Sequence, residues 1–201
     1  MRQRAFAYAV WVLPIGHGQR FRSSGSRWVE GGLGGWQTGW NVNLQSGQFF
    51  TPSFSSFDPS NTATFGGRPD RIGNGSLPGD QRTIARWFDA SAFAIPGCPA
   101  TDPVCKSPAT VGRFGNTGLN ILEGPAIKNL DFSLMKWFNV TEKRRLQFRL
   151  IMVNALNHPN FAVPRANISS LGTVGTIAST ARVLNGEPAT REIDIGLRLQ
   201  W

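Results

Sequence analysis

The last eleven residues constrain the chain more than any other stretch. They read REIDIGLRLQW, with Ile193, Ile195, Leu197, Leu199 and Trp201 at every second position and Glu192, Asp194, Gly196, Arg198 and Gln200 between them. A period of two places these sets on opposite faces of a β-strand. A soluble sandwich strand shares that alternation, but ending the polypeptide on an aromatic residue inside it points to a strand set between lipid and water.

The same pattern recurs upstream. Arg145 to Asn154 sets Leu146, Phe148, Leu150 and Met152 against Arg145, Gln147 and Arg149, and Asn129 to Leu134 sets Leu130, Phe132 and Leu134 against Asn129, Asp131 and Ser133. The polar run 139–144 between them predicts a short connection and hence an antiparallel hairpin. Trp36 to Ser46 alternates Trp36, Thr38, Trp40, Val42 and Leu44 with Gln37, Gly39, Asn41, Asn43 and Gln45. This amide-rich face suits a wet, confined lumen. Ala5 to Leu13 is less clean, with Phe6, Tyr8, Val10 and Val12 on one face and alanines over most of the other. The pattern thus predicts strands near 4–13, 36–48, 128–138, 144–154 and 190–201, each with the roughly ten residues that a tilted transmembrane strand needs.

Placing Trp201 at the periplasmic end puts the 139–144 turn on that side and the long segments 51–125 and 155–188 outside, which is the loop asymmetry of outer-membrane barrels. The connection 14–35 fits less well, being long on the side of short turns. Trp11, Trp36, Trp137, Phe138 and Trp201 fall near periplasmic strand ends and Phe49 and Phe50 near an external end, as aromatic girdles do.

Composition narrows the remaining classes. With 23 Gly and 13 Pro in 201 residues, long helices are interrupted too often to form. No apolar run reaches the roughly twenty residues of a transmembrane helix. The N-terminal MRQRAFAYAVWVLPIGHG imitates a signal peptide but has no convincing cleavage site, so it reads as a strand. The net charge of +9 and pI near 11.0 raise a polyanionic partner. The basic residues nevertheless spread from Arg2 to Arg198, clustering only at Lys143, Arg144 and Arg145, and no nucleic-acid motif accompanies them, so nucleic acid is not expected. Cys98 and Cys105, in GCPATDPVCKS, form a disulfide candidate for an oxidising compartment, two free thiols being the alternative.

Nothing in the sequence supplies catalytic, cofactor-binding or metal residues. His17 and His158 sit in Gly-His-Gly and Asn-His-Pro turns, far apart in sequence, and Asp131, Glu192 and Asp194 read as solvated or lumen-paired carboxylates. Gly31 to Gly35 lacks the strand-to-helix setting of a phosphate cradle. The sequons at Asn139 and Asn167 are incidental. Arg86-Trp-Phe-Asp89 with Phe93 reads as packing within a loop, ligand contact being the other option. Arg145 and Arg149 either guide anionic substrates or pair with Asp131 across the hairpin. The expectation is therefore no enzyme and no cofactor.

Five stretches taken in order resemble one family. They are GGWQTGWNVNLQSGQFFT at 34–51, RTIARWFDASAFAIP at 82–96, GRFGNTGLNILEGPAIKNLDFSLMKWF at 112–138, RRLQFRLIMVNALNHPNF at 144–161 and the terminal IGLRLQW. Together they resemble the C-terminal barrel region of TonB-dependent receptors of the Oar-like type. The resemblance implies an all-β fold: an antiparallel transmembrane β-barrel segment, about five strands of a larger barrel, with long external loops. It implies a bacterial outer-membrane location, with the family's signal, regulatory-like and plug domains absent from this chain. The partners implied are outer-membrane lipid, the remainder of the barrel and its plug, the barrel-assembly machinery, and TonB only through the missing N-terminal region. Ile193, Ile195, Leu197, Leu199 and Trp201 resemble the signal by which that machinery accepts barrels. Five strands cannot close, so the chain reads as a fragment. The implied role is part of the wall for TonB-dependent uptake of an unidentified ligand. The alternatives are an adhesive or structural surface protein and, further off, a soluble basic β-sandwich binding polyanions.

Overall fold

The computed structural model describes residues 1–15, 20–21, 31–181 and 190–201. Its strands are β1 (Arg4–Val12), β2 (Trp36–Gln45), β3 (Phe49–Phe50), β4 (Asp70–Arg71), β5 (Phe93–Ala94), β6 (Leu122–Glu123), β7 (Ile127–Thr141), β8 (Arg144–Val153) and β9 (Glu192–Gln200). They belong to two compact units, one built on the five long strands and one on residues 46–126 and 161–181 with the first two residues.

The first unit is a five-stranded antiparallel sheet in the order β1-β2-β7-β8-β9. Register decides which residues share a face. Leu199, Leu197, Ile195 and Ile193 stand opposite Leu146, Phe148, Leu150 and Met152. These in turn face Phe138, Lys136, Leu134 and Phe132 of β7. The row runs on to Trp36, Thr38 and Trp40 of β2. The result is one largely apolar face across the sheet, interrupted by Thr38 and Lys136 and with Lys128 near one end of β7. Edge-to-face pairs of Trp40 with Phe132 at 4.8 Å and Trp36 with Phe148 at 5.9 Å tie neighbouring strands, each adding about 0.5–1.5 kcal/mol beyond burial.

On β1 the register puts Ala5, Ala7, Ala9 and Trp11 on this apolar face, while Phe6, Tyr8, Val10 and Val12 stand opposite Asn43, Asn41, Gly39 and Gln37. The bulky side chains of β1 therefore lie on the polar side of the sheet.

Three expectations need correction here. The 139–144 connection is shorter than the sequence predicts: β7 continues through Thr141, only Glu142 and Lys143 turn, and β8 starts at Arg144. A register shift between Asn139 and Thr141 accommodates the extra strand residues, and β-branched Val140 and Thr141 favour extension. Trp137 stands opposite Gln147, on the polar face, so it does not join Phe138 in an apolar girdle. Phe49 and Phe50 belong to the other unit: Phe50 is a core residue and Phe49 lies beneath the Arg2 guanidinium.

That second unit corrects the picture of segments 51–125 and 155–188 as plain loops, residues 182–189 lying outside the described ones. Phe50, Phe54, Phe88, Phe93, Ile95, Leu122 and Ile168 pack into one buried core, with Phe93 and Ile95 wholly buried. Regular structure is slight, two-residue ladders joining β3 to β6 and β4 to β5. Other backbone groups bond across chain segments, as Ile168 N–H does to Ser53 C=O at 2.8 Å and Ser53 N–H to Ala166 C=O at 3.0 Å. Buried backbone must be paired, and here loops do what ladders do elsewhere. Arg113 grips Asp70 through two 2.8 Å bonds. Gly97, at φ +88°, brings its Cα so close to the Ala109 carbonyl that a Cβ would collide with it, which only glycine permits.

Candidate functional site

The polar face of the sheet carries most of its chemistry. At its centre the Asp131 carboxylate accepts from Asn41 Nδ2 at 3.1 Å, Asn129 Nδ2 at 2.7 Å and the Asn154 backbone N–H at 3.0 Å. A carboxylate only accepts, so both amides must turn their nitrogens towards it. Their oxygens, Asn41 Oδ1 and Asn129 Oδ1, and that of neighbouring Asn43 have no protein partner among the described residues. Asn154, at φ +48° and wholly buried, ends β8. Its amide clamps the backbone of His158 from both sides, at 2.9 and 3.0 Å. His158 is thus a turn residue, and His17 lies outside the described residues.

This network settles one of the two options for the hairpin arginines. Asp131 is held by three nitrogens of Asn41, Asn129 and Asn154, while Arg149 stands opposite Met135 and Gly196 and Arg145 opposite Asn139 and Gln200. Neither arginine pairs with Asp131.

Two glycines open the polar face. Over Gly39 is a recess of about 160 Å³ lined by Tyr8, Val10, Asn41, Asp131, Ser133 and Met135 among others. A Cβ on Gly39 would come within 2.5 Å of Ser133 Oγ. A second recess, about 310 Å³, lies at Gly196 between Arg149 and Arg198.

The apolar face is dominated by exposure. Ile193, Ile195, Leu197 and Leu199 are 51, 71, 69 and 51 % exposed, all on one side of β9. Lys136, within that face, is 3 % exposed. Its ammonium donates to the carbonyls of Gly31 and Gly32, in the helical turn at 31–33, and lies 5.1 and 4.9 Å from the rings of Trp36 and Phe138.

In the second unit Cys98 and Cys105 are joined in a disulfide. Trp87, Phe88 and Phe93 pack locally: the last two are core, and Trp87 Nε1 donates to the Glu123 carbonyl at 2.9 Å. The Arg113 guanidinium, helped by the Asn116 N–H, holds the Asp70 carboxyl below its usual range despite partial burial. No group of three or more His, Cys, Asp or Glu among the described residues is placed to hold a metal.

A wide face of exposed aliphatic and aromatic side chains, backed by one that carries the amides, glycines and arginines of β2, β7, β8 and β9 beside the bulky side chains of β1, is what lipid and a wet lumen would select. Comparison with known families agrees, for a family model described as an outer membrane beta barrel domain matches residues 1–193. The chain belongs to that family. No curated protein and no solved structure matches it. The family places the protein in the bacterial outer membrane, and its five long strands are a segment of a barrel wall. In this outer membrane beta barrel the apolar face meets lipid and the polar face lines the lumen. No helix among the described residues is long and apolar enough to cross a membrane; strands do that work.

Sequence reasoning missed Lys136 and the role of the glycines. Parity would have found the first, since Lys136 continues the series Leu130, Phe132, Leu134. Gly39 and Gly196 become recesses only when register shows which side chains surround them.

Proposed function

We propose that this segment forms part of the wall of a plugged, TonB-dependent receptor that takes up a scarce solute across the outer membrane. The observation that carries the reading is the lumen face itself. Its Asn41–Asp131–Asn129 network, its unpartnered amide oxygens and the Gly196 recess beside Arg149 and Arg198 make a surface that hydrates and holds polar solutes. TonB would act through a region N-terminal to the wall, and the plug and remaining strands would complete the pore. Uptake measured on cells carrying the complete gene, with and without TonB, tests this: equal uptake in the two backgrounds rejects energy coupling.

Ile193, Ile195, Leu197, Leu199 and Trp201 serve in this reading as the assembly signal. Replacing Trp201 by Ser is expected to lower the folded outer-membrane fraction several-fold, and unchanged assembly would remove that role.

A second reading, adhesion, draws on the folded, disulfide-closed second unit, since a preformed surface binds with less ordering cost than a mobile loop. Surface attachment that survives loss of TonB but not reduction of Cys98–Cys105 would favour it.

A further inference from the structure

The described residues contain only two ion pairs, Arg86 with Asp89 and Arg113 with Asp70. Neither involves the sheet. Its lumen face carries Arg145 and Arg149 on β8 and Arg198 on β9, all exposed. Arg198 stands opposite Gln147, the residue between the two β8 arginines on that face, while Arg149 stands opposite Gly196 and Arg145 opposite Gln200. Arg198 is therefore the diagonal neighbour of both, at the roughly 7–8 Å typical of such positions.

We propose that Arg145, Arg149 and Arg198 form a binding patch on the lumen wall for an oxyanion carrying two or more charges. The inference deepens the solute-path reading above and rests on it. Three features of the sheet converge. Gly196 offers no side chain to cover Arg149, and the recess it leaves has Gln147, Arg149 and Arg198 on its walls. Asp194, also in that recess, stands diagonal to Arg149 without pairing to it. The recess sets two cations against one carboxylate, and Arg145, diagonal to Arg198 beside it, raises the excess to two positive charges, which a dianion would balance. Guanidinium forks match the paired oxygens of phosphate and carboxylate groups, and Gln147 adds a neutral donor.

The experiment uses the complete barrel that contains these strands, folded in detergent, its folded state read by heat-modifiable migration. Inorganic phosphate and citrate are titrated calorimetrically, with glucose as a neutral control. The expected result is binding of both anions but not of glucose, weakening as salt rises. Arg149→Gln is expected to weaken binding about tenfold and the Arg149→Gln/Arg198→Gln double variant to abolish it, while Lys106→Gln, in the other unit, changes nothing. Phosphate against citrate then distinguishes a phosphoryl from a carboxylate preference. Folded protein that binds neither anion, or a double variant that binds as well as the parent, overturns the patch alone. Anion binding by a barrel whose uptake is equal with and without TonB leaves the patch standing and overturns the energy-coupled reading.

Discussion

The ammonium of Lys136 donates to the carbonyl oxygen of Gly32 at 2.9 Å, tying a strand residue on the lipid-facing side to the segment that joins β1 to β2. Trp36 Nε1 donates to the same carbonyl at 2.8 Å. A charged side chain among Trp36, Phe138 and Phe148 would be costly were it not capped in this way. The tie gives residues 31–32, just before β2, a task that a plain turn would not have.

Lys136→Met should therefore destabilise the folded wall by about 1–3 kcal/mol, because the two carbonyls lose a charged donor. Lys136→Arg should retain most of the stability. Denaturant titration of heat-modifiable migration measures both, and amide exchange at 31–33 should quicken in Lys136→Met alone.

The second unit should respond to core truncation independently of strand pairing. Phe93 is wholly buried against Phe88, at 6.1 Å between ring centroids. Phe93→Ala should cost about 3–5 kcal/mol and expose residues 46–126 to protease. Cys98→Ser, which opens a disulfide with a sequence separation of 7, should cost about 2 kcal/mol on the chain-entropy account of so short a loop. Limited proteolysis with mass mapping ranks the two.

Acid should loosen the same unit. Asp70 is held below its usual range chiefly by its hydrogen bonds from Arg113, so its folded pKa lies under its unfolded one. Its contribution is then full above the unfolded carboxylate value, about 4, and disappears as pH falls through the lower folded value. Proteolytic resistance of the unit should drop below about pH 4, and Asp70→Asn should lack that part of the acid transition.

The sheet was largely legible in the sequence and the second unit was not, for physical reasons that particular residues show. Leu146 to Met152 and Ile193 to Trp201 meet two different solvents, so their alternation is strict and survives without any knowledge of partners. On β1 both alternating sets are apolar, Ala5, Ala7 and Ala9 against Phe6, Tyr8 and Val10, and only pairing with Asn41 and Asn43 reveals that the bulky set faces the lumen. Phe50, Phe88, Phe93 and Ile168 come from separate short stretches with no common period, so nothing local announces that they share one core. The Cys98–Cys105 spacing and the Arg86–Asp89 run with Phe93 were the visible traces of order there. Among site residues, Asp131 was visible as a polar-face carboxylate, but its partners were not, since Asn41 is 90 residues away in sequence.

Two aromatics on neighbouring strands offer the sharpest test of which face meets lipid. Trp40 and Trp137 have nearly equal exposure, 40 and 43 %, yet register places Trp40 beside Phe132 on the apolar face and Trp137 opposite Gln147 on the polar one. Accessibility alone would make them equally sensitive to any quencher, whereas the barrel geometry gives them different solvents. In bilayers of brominated lipid, Trp40→Phe should remove a quenched component of the fluorescence and Trp137→Phe should remove almost none. Aqueous acrylamide should give the opposite pattern. Lipid quenching of Trp137 together with acrylamide quenching of Trp40 would mean that the two faces are exchanged, and the lumen assignments of Asp131, Arg149 and Arg198 would have to be abandoned with them.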